Sequence, residues 1–180
     1  MASEAFMVRR ARRNDARWMQ QSFSPRDPHR PPNYFEEICL QQAAGLLALF
    51  VAETTQQAYA GHVKVLWEAQ YAPFREARIP EIQDLFVLPG YRRRGVAMRL
   101  LDSAEQAIAA RAVADDPAAV AQAGLGVGLY AEYGPAQRLY ILRGYVPDGR
   151  GACYRQQPIR GGQILPFDND AVLYMVKRLS

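Results

Sequence analysis

LFVLPGYRRRGVAM, residues 85–98, leaves an apolar strand at a Pro89-Gly90 turn, places Arg92, Arg93 and Arg94 in a row, and enters a helix through Gly95 and Ala97. Adjacent like charges repel and glycine lowers helix stability, so folding alone does not favour this arrangement. A helix amino terminus presents unpaired N–H groups and about half a positive charge, so a glycine-containing turn that feeds one makes an anion site. Gly95 lets the backbone come close to a phosphate, Ala97 is small for the same reason, and the arginines add charge-assisted bonds. A pyrophosphate is the guest this pattern fits. The bland alternative, a solvated basic turn, would hold for an isolated arginine triplet, but here a strand precedes and an amphipathic helix follows. The stretch lacks the lysine and serine or threonine of a nucleotide-hydrolase phosphate loop, and it is not GxGxxG, which argues against ATP and NAD.

Outward from this unit, residues 6–12 suit a strand, and Asn14-Asp15 offer a cap for the helix ARWMQQSF. Residues 24–32 hold four prolines and form a loop, after which NYFEEICLQQAAG reads as a second helix ending at Gly45. LLALFVAET and YAGHVKVLWEA, separated by TQQA, suggest an antiparallel hairpin supplying the second and third strands. EIQDLFVL is the next strand, and VAMRLLDSAEQAIAARA carries a strong helical pattern. Beyond an alanine-rich loop at 114–124 come the strand GLGVGLYAE, a short helix PAQRLYILRG opened by Pro135, and a closing strand AVLYMVKRL. Residues 147–170 carry no readable pattern, and residues 69–80 read as irregular. The expectation is a single α+β domain over residues 1–180, with a mixed, mostly antiparallel twisted sheet flanked by helices.

Composition narrows the class. Of the 180 residues, 49% are hydrophobic, enough for a substantial core. Cys39 and Cys153 lie far apart without metal-ligand spacing, which fits buried or idle thiols in a reducing compartment. The longest apolar run, at 43–52, falls well short of the roughly 20 residues a bilayer helix needs, so the expectation is a soluble, cytoplasmic protein with no membrane partner. Net charge is +4, but arginines cluster at 9–17 and 92–99, which favours a local phosphate-bearing partner. His29 lies in the proline-rich loop within reach of a substrate, and His62 lies in a strand; neither belongs to a metal cluster, so no metal is expected.

The pattern Arg92-x-x-Gly95-x-Ala97, preceded by EIQDLFV, resembles the acetyl-coenzyme A signature of the GCN5-related N-acetyltransferase (GNAT) superfamily. VRRARRNDA resembles that family's first strand and helix entry, AQRLYILRGY its late helix, and LYMVKRL its closing strand. The resemblance implies the GNAT fold and an acetyl-CoA co-substrate whose pyrophosphate is held by Arg92, Arg93, Arg94, Gly95, Val96, Ala97 and Met98. It also implies that the peptide-like pantetheine arm pairs with a splayed strand edge at the backbone of Leu85 and Val87.

Acetyl transfer to an amine needs a free amine, a polarised thioester and a proton for the leaving thiolate. An alkyl ammonium titrates near 10.4, so a general base, direct or through water, helps expose the amine. Counting by twos puts Glu81 on the face of Leu85 and Val87, and the family often has a catalytic glutamate four residues before its first pantetheine-pairing residue. A strand-end carboxylate in solvent or an ion pair is the structural alternative, and Asp84 is the weaker candidate on the other face. Tyr140 matches the family's thiolate-protonating tyrosine; its spacing with Ala136 and Leu139 also suits core packing. The Val87 N–H is placed to polarise the carbonyl. Tyr133 stands where the family often has an asparagine, which puts one cofactor contact in question.

The function this implies is acetyl transfer from acetyl-CoA to a primary amine of a small molecule or peptide, in a ternary complex, with room for a homodimer. Two other classes compete: a non-catalytic acyl-CoA-binding sensor module and a basic nucleic-acid-binding domain. The second is the poorer account, because five arginines at 9–17 interrupted by strand and helix signals make no recognised module, and no nucleic-acid partner is expected. The acceptor itself is not legible.

Overall fold

The computed structural model describes residues 5–23 and 30–179. Most of the proline-rich loop, His29 included, lies outside the described residues. The elements follow in the order β1 (Phe6–Arg10), α1 (Asp15–Phe23), α2 (Tyr34–Ala43), β2 (Leu47–Thr54), β3 (Tyr59–Leu66), α3 (Ala72–Glu76), β4 (Glu81–Val87), α4 (Val96–Asp115), β5 (Gln122–Gly128), α5 (Gly134–Leu142), β6 (Val146–Tyr154), β7 (Gln157–Pro158) and β8 (Ala171–Arg178). They build a mixed sheet of eight strands flanked by helices, in the order β1-β2-β3-β4-β5-β8-β6-β7. The chain divides into two compact units, residues 1–67 with 83–107 and residues 68–82 with 108–180.

In the first unit β1, β2 and β3 form an antiparallel meander, with Arg9 opposite Val51 and Val51 opposite His62. All eight residues of β2 are buried, so both faces of the strand are covered, which is why LALFVAET reads as a nearly continuous apolar run. Its one carboxylate, Glu53, is taken up by Arg9, whose guanidinium reaches Glu53 Oε2 at 2.9 Å and Asp15 Oδ2 at 2.6 Å. The core beneath α1 and α2 is Met19, Phe23, Phe35, Ile38 and Cys39 against Leu49, Val51 and Tyr59. Gly45, at φ +76°, ends α2 as the sequence predicts. α4 begins immediately after Gly95, and its part in this unit buries Val96, Leu100, Leu101 and Ala104 along one stripe.

In the second unit the start of β4 pairs in parallel with β5 through Glu81↔Gly124 and Ile82↔Leu125, and β5 runs antiparallel to β8 from Gln122 to Gly128. Two segments without a sequence pattern acquire structure here. Residues 72–76 form the short helix α3, whose Phe74 packs at 4.9 Å from Tyr71; Tyr71 in turn stacks on Tyr174 at 3.5 Å with the planes 2° apart. Residues 146–154 form β6 beside β8, with a wide bulge between Pro147 and Ala152 that carries Gly149 and Gly151 at positive φ. Glycine and proline at these positions hide the strand from a period-two count. The bulge turns Asp148 inward, where it accepts a hydrogen bond from the Tyr71 hydroxyl at 3.2 Å.

Gly124 is small for a packing reason: a Cβ there would lie 2.5 Å from Cε2 of Phe74. Gly124→Ala therefore overpacks the junction of α3 and β5 and should lower stability by about 1–3 kcal/mol. The check is the urea midpoint at unchanged slope; a midpoint equal to the parent's would contradict this packing.

Candidate functional site

The strand, the basic turn and the helix start bring Leu85, Val87 and Arg92–Met98 into one continuous stretch. Pro89–Tyr91 form a single tight turn, and the chain then takes left-handed backbone at Arg93 (φ +59°) and again at Gly95 (φ +83°). Nothing lies within 4 Å of where a Gly95 side chain would start, so the glycine answers to backbone angle and leaves its outer face open. Ladder bonding in α4 opens with the Arg99 N–H donating to the Gly95 carbonyl at 3.1 Å, so the first turn of the helix lies at Val96 to Met98. The side chains of Arg92, Arg93, Arg94 and Met98 are exposed, Ala97 is half-buried, and Val96 is buried, so Val96 can offer this turn only its amide. Arg92 does more than lend charge. Its Nε donates to the Val87 carbonyl at 3.1 Å, tying the turn back to the strand that precedes it.

β4 is paired with β5 only at its start. Among the described residues the ladder holds Glu81 and Ile82, and two residues later Asp84 adopts φ +53°. A left-handed residue inside a strand breaks the period of two, so counting faces from Glu81 does not carry through to Leu85 and Val87. On its other side β4 neighbours β3, and the Leu88 N–H bonds the Ala60 carbonyl at 2.9 Å.

Glu81 is buried at 5% exposure, and its Oε2 accepts the backbone N–H groups of Gln70 at 2.9 Å and Tyr71 at 3.4 Å. The carboxylate thus holds the turn that leads into α3. Tyr140, on α5, is 7% exposed and packs edge-on to Tyr145 at 5.9 Å. Burial, with the Tyr133 hydroxyl as a lesser cause, pushes the Tyr140 phenol above its ordinary value, so it stays protonated throughout the neutral range. Among the described residues its hydroxyl has no hydrogen-bond partner. Tyr133, in the family's asparagine position, lays its ring over Gly128, and its hydroxyl and that of Tyr130 both donate to Asn169 Oδ1.

Sequence reasoning ranked Asp84 low and did not see its surroundings. Its carboxylate receives Arg30 Nη1 and Nη2 at 3.3 and 3.2 Å, Lys64 Nζ at 3.2 Å and the Tyr34 hydroxyl. Burial alone would raise this carboxyl, but the charges of Lys64 and Arg30 and the bonds from Arg30 and Tyr34 outweigh it and hold it well below the usual range. Lys64 inside the apolar run VKVL, and the adjacent polar pair Gln83 and Asp84 that interrupts the alternation of EIQDLFV, were the available signal. Beneath them His62 is fully buried among Phe23, Phe35 and Phe86; its Nδ1 bonds the Tyr59 hydroxyl, and among the described residues its Nε2 has no partner. Among the described residues no three His, Cys, Asp or Glu side chains converge as metal ligands, and no helix is long and apolar enough to cross a membrane.

The sequence model described as the acetyltransferase (GNAT) family matches residues 15–122. No curated protein sequence matches the chain. Among solved structures, NAA60 of Arabidopsis thaliana in complex with acetyl-CoA is similar at a TM-score of 0.67 and 16% identity, over 97% of this chain and 99% of that one. A GNAT-family acetyltransferase of Staphylococcus aureus gives 0.61 at 14% identity, over 98% and 100%. A dodecameric spermidine N-acetyltransferase of Vibrio cholerae gives 0.62 at 19% identity, over 96% and 93%.

The buried histidine generates a pH dependence. Burial lowers the His62 pKa to about 3, with Asp84 opposing and Arg30 and Lys64 adding to the effect. In the unfolded chain the ring takes a proton near 6.5, so unfolding takes up a proton between the two values, and stability falls as pH drops below about 6.5. The urea midpoint should therefore decline between about pH 7 and pH 4, and His62→Phe should flatten that decline. An equal slope in parent and variant would mean other groups cause it.

Proposed function

Because the chain belongs to the acetyltransferase (GNAT) family, we propose that it transfers the acetyl group of acetyl-CoA to a primary amine of a small molecule or peptide, and that residues 1–180 act as one such domain. The observation that carries this reading is the strand, turn and helix at 81–115, with left-handed Arg93 and Gly95 and an open face at the helix start. A pyrophosphate fits there: exposed arginines supply charge, the amides of Gly95, Val96 and Ala97 supply donors, and no side chain at Gly95 blocks approach. The backbone of Leu85 and Val87, on a strand that has left its ladder with β5, offers the amide-bearing pantetheine arm an edge to pair with.

In the proposed reaction the neutral amine attacks the thioester carbonyl, a C–N bond forms, the nitrogen gives up one proton to solvent as the C–S bond breaks, and the departing thiolate takes a proton to leave as the thiol. The Val87 N–H would steady the oxygen on which negative charge develops. Glu81 would accept the ammonium proton, directly or through water, on Oε1, the oxygen its backbone contacts leave unused. Tyr140 would return a proton to the thiolate. Burial keeps that proton in place until it is needed, and it also makes the phenol a weaker acid, so transfer depends on the thiolate being formed in an equally dry environment.

The test is an acceptor screen with acetyl-CoA, read as free thiol, beside thermal shifts with and without acetyl-CoA. Acetyl-CoA should raise the melting temperature, since a ligand of the native state stabilises by mass action. Gly95→Val should abolish most of that shift, and Arg93→Ala only a salt-sensitive part; if both variants respond like the parent, the pyrophosphate assignment is wrong. Tyr140→Phe keeps the ring and removes one proton. Turnover should fall by ~10²-fold to 10⁴-fold with the melting temperature near the parent's. Unchanged turnover at saturating substrates would remove Tyr140 from the mechanism.

A further inference from the structure

Six residues other than glycine take positive φ among those described, and five of them, Gln57, Arg78, Arg93, Arg155 and Gln156, lie in turns. The sixth, Asp84, sits in the middle of β4. An L side chain keeps such a backbone only where its surroundings over-determine it. Here the surroundings converge on the side chain itself. Arg30 approaches from the segment before α2, Tyr34 from the first residue of α2, and Lys64 from β3, and all three place donors on the one carboxylate. The Arg30 guanidinium is steadied in turn, 4.4 Å over the Tyr34 ring and 4.9 Å over Phe23. Side-chain exposures of 24%, 19% and 12% for Arg30, Asp84 and Lys64 put the cluster partly out of water, where such pairs are screened less than on an open surface.

The strand beyond the kink is fixed from the same side. Phe86 packs edge-on to Phe23 at 4.7 Å, the bare Cα of Gly61 lets β3 lie against the Phe86 carbonyl, and the Leu88 N–H bonds Ala60. A salt bridge that served stability alone could sit anywhere on the surface. This one grips the only strand residue other than glycine with a left-handed backbone among those described, immediately before Leu85.

We propose that Arg30, Tyr34 and Lys64 clamp Asp84 to hold the left-handed kink of β4, so that Asp84 is a positioning residue that sets the Leu85–Val87 backbone edge for the pantetheine arm. The inference rests on the acetyl-CoA reading above. It also gives the 30–40 flank a part in cofactor binding without contact to the cofactor, because two of the three donors come from that flank.

The experiment measures binding of acetyl-CoA and of ADP, which has the pyrophosphate and no pantetheine arm, to the parent and to Asp84→Val, Asp84→Asn and Lys64→Met. Valine cannot hold the kink, and acetyl-CoA affinity should fall by about 10-fold to 100-fold, the range that strain of this kind spans, with ADP affinity unchanged. Asparagine tolerates left-handed backbone but leaves the clamp without its charge, and Lys64→Met removes one donor; both should lose acetyl-CoA affinity by a smaller factor, again with ADP unaffected. Asparagine and methionine variants that melt lower than the parent yet bind acetyl-CoA equally well would overturn the proposal and leave a structural salt bridge. Equal losses for ADP and acetyl-CoA would overturn it too, since the pantetheine edge would not be what moved. A parent that binds neither ligand defeats the acetyl-CoA reading itself, an outcome distinct from both.

Discussion

Strand β4 must meet two opposite requirements within seven residues. At Glu81 and Ile82 it completes a parallel ladder with β5, which ties it into the sheet, and by Leu85 it runs outside that ladder. Regular β geometry cannot do both, because a strand that satisfies its neighbour at one position tends to satisfy it at the next. The left-handed residue at Asp84 resolves the conflict, and much of the first unit is arranged around it: a lysine in an apolar strand, an arginine laid over two aromatic rings, a tyrosine at the start of a helix, and a glycine in β3 where β4 presses closest.

The basic turn follows the same logic. Three consecutive arginines repel one another, and the left-handed backbone at Arg93 costs conformational energy, yet the turn is tied back to the strand by Arg92 on the Val87 carbonyl. That bond anchors the turn to the end of β4 at Val87, three residues beyond the kink at Asp84.

The strand, turn and helix at the centre, the β2–β3 hairpin and the closing strand were legible because their signals are local: apolar runs bounded by Gly, Pro or polar turns. β6 was not, because its two bulge glycines and its proline break the alternation that marks a strand. α3 was not, because five residues show little periodicity. For the site, the basic turn proposed to hold a pyrophosphate lies in one stretch of chain, so its residues can be put forward from sequence alone. The setting of Glu81 could not, since its partners are backbone groups eleven and ten residues upstream. Nor could the Asp84 clamp, whose donors lie 54, 50 and 20 residues away and meet only in the folded chain.

The bulge in β6 has a bearing on how this chain can change over time. Between its flanking pairs, Pro147↔Met175 and Ala152↔Leu173, β6 advances five residues while β8 advances two. Strand register is all-or-none: a slip of one position would exchange the inner and outer faces of the pair and bring the buried Cys153 to the surface. An excursion already out of the ladder absorbs a change of length without forcing that exchange. Residues 149–151 thus form a point where insertions and deletions can accumulate while the pairing on either side stays in phase, so that chain length is free to drift in a strand whose alignment is not.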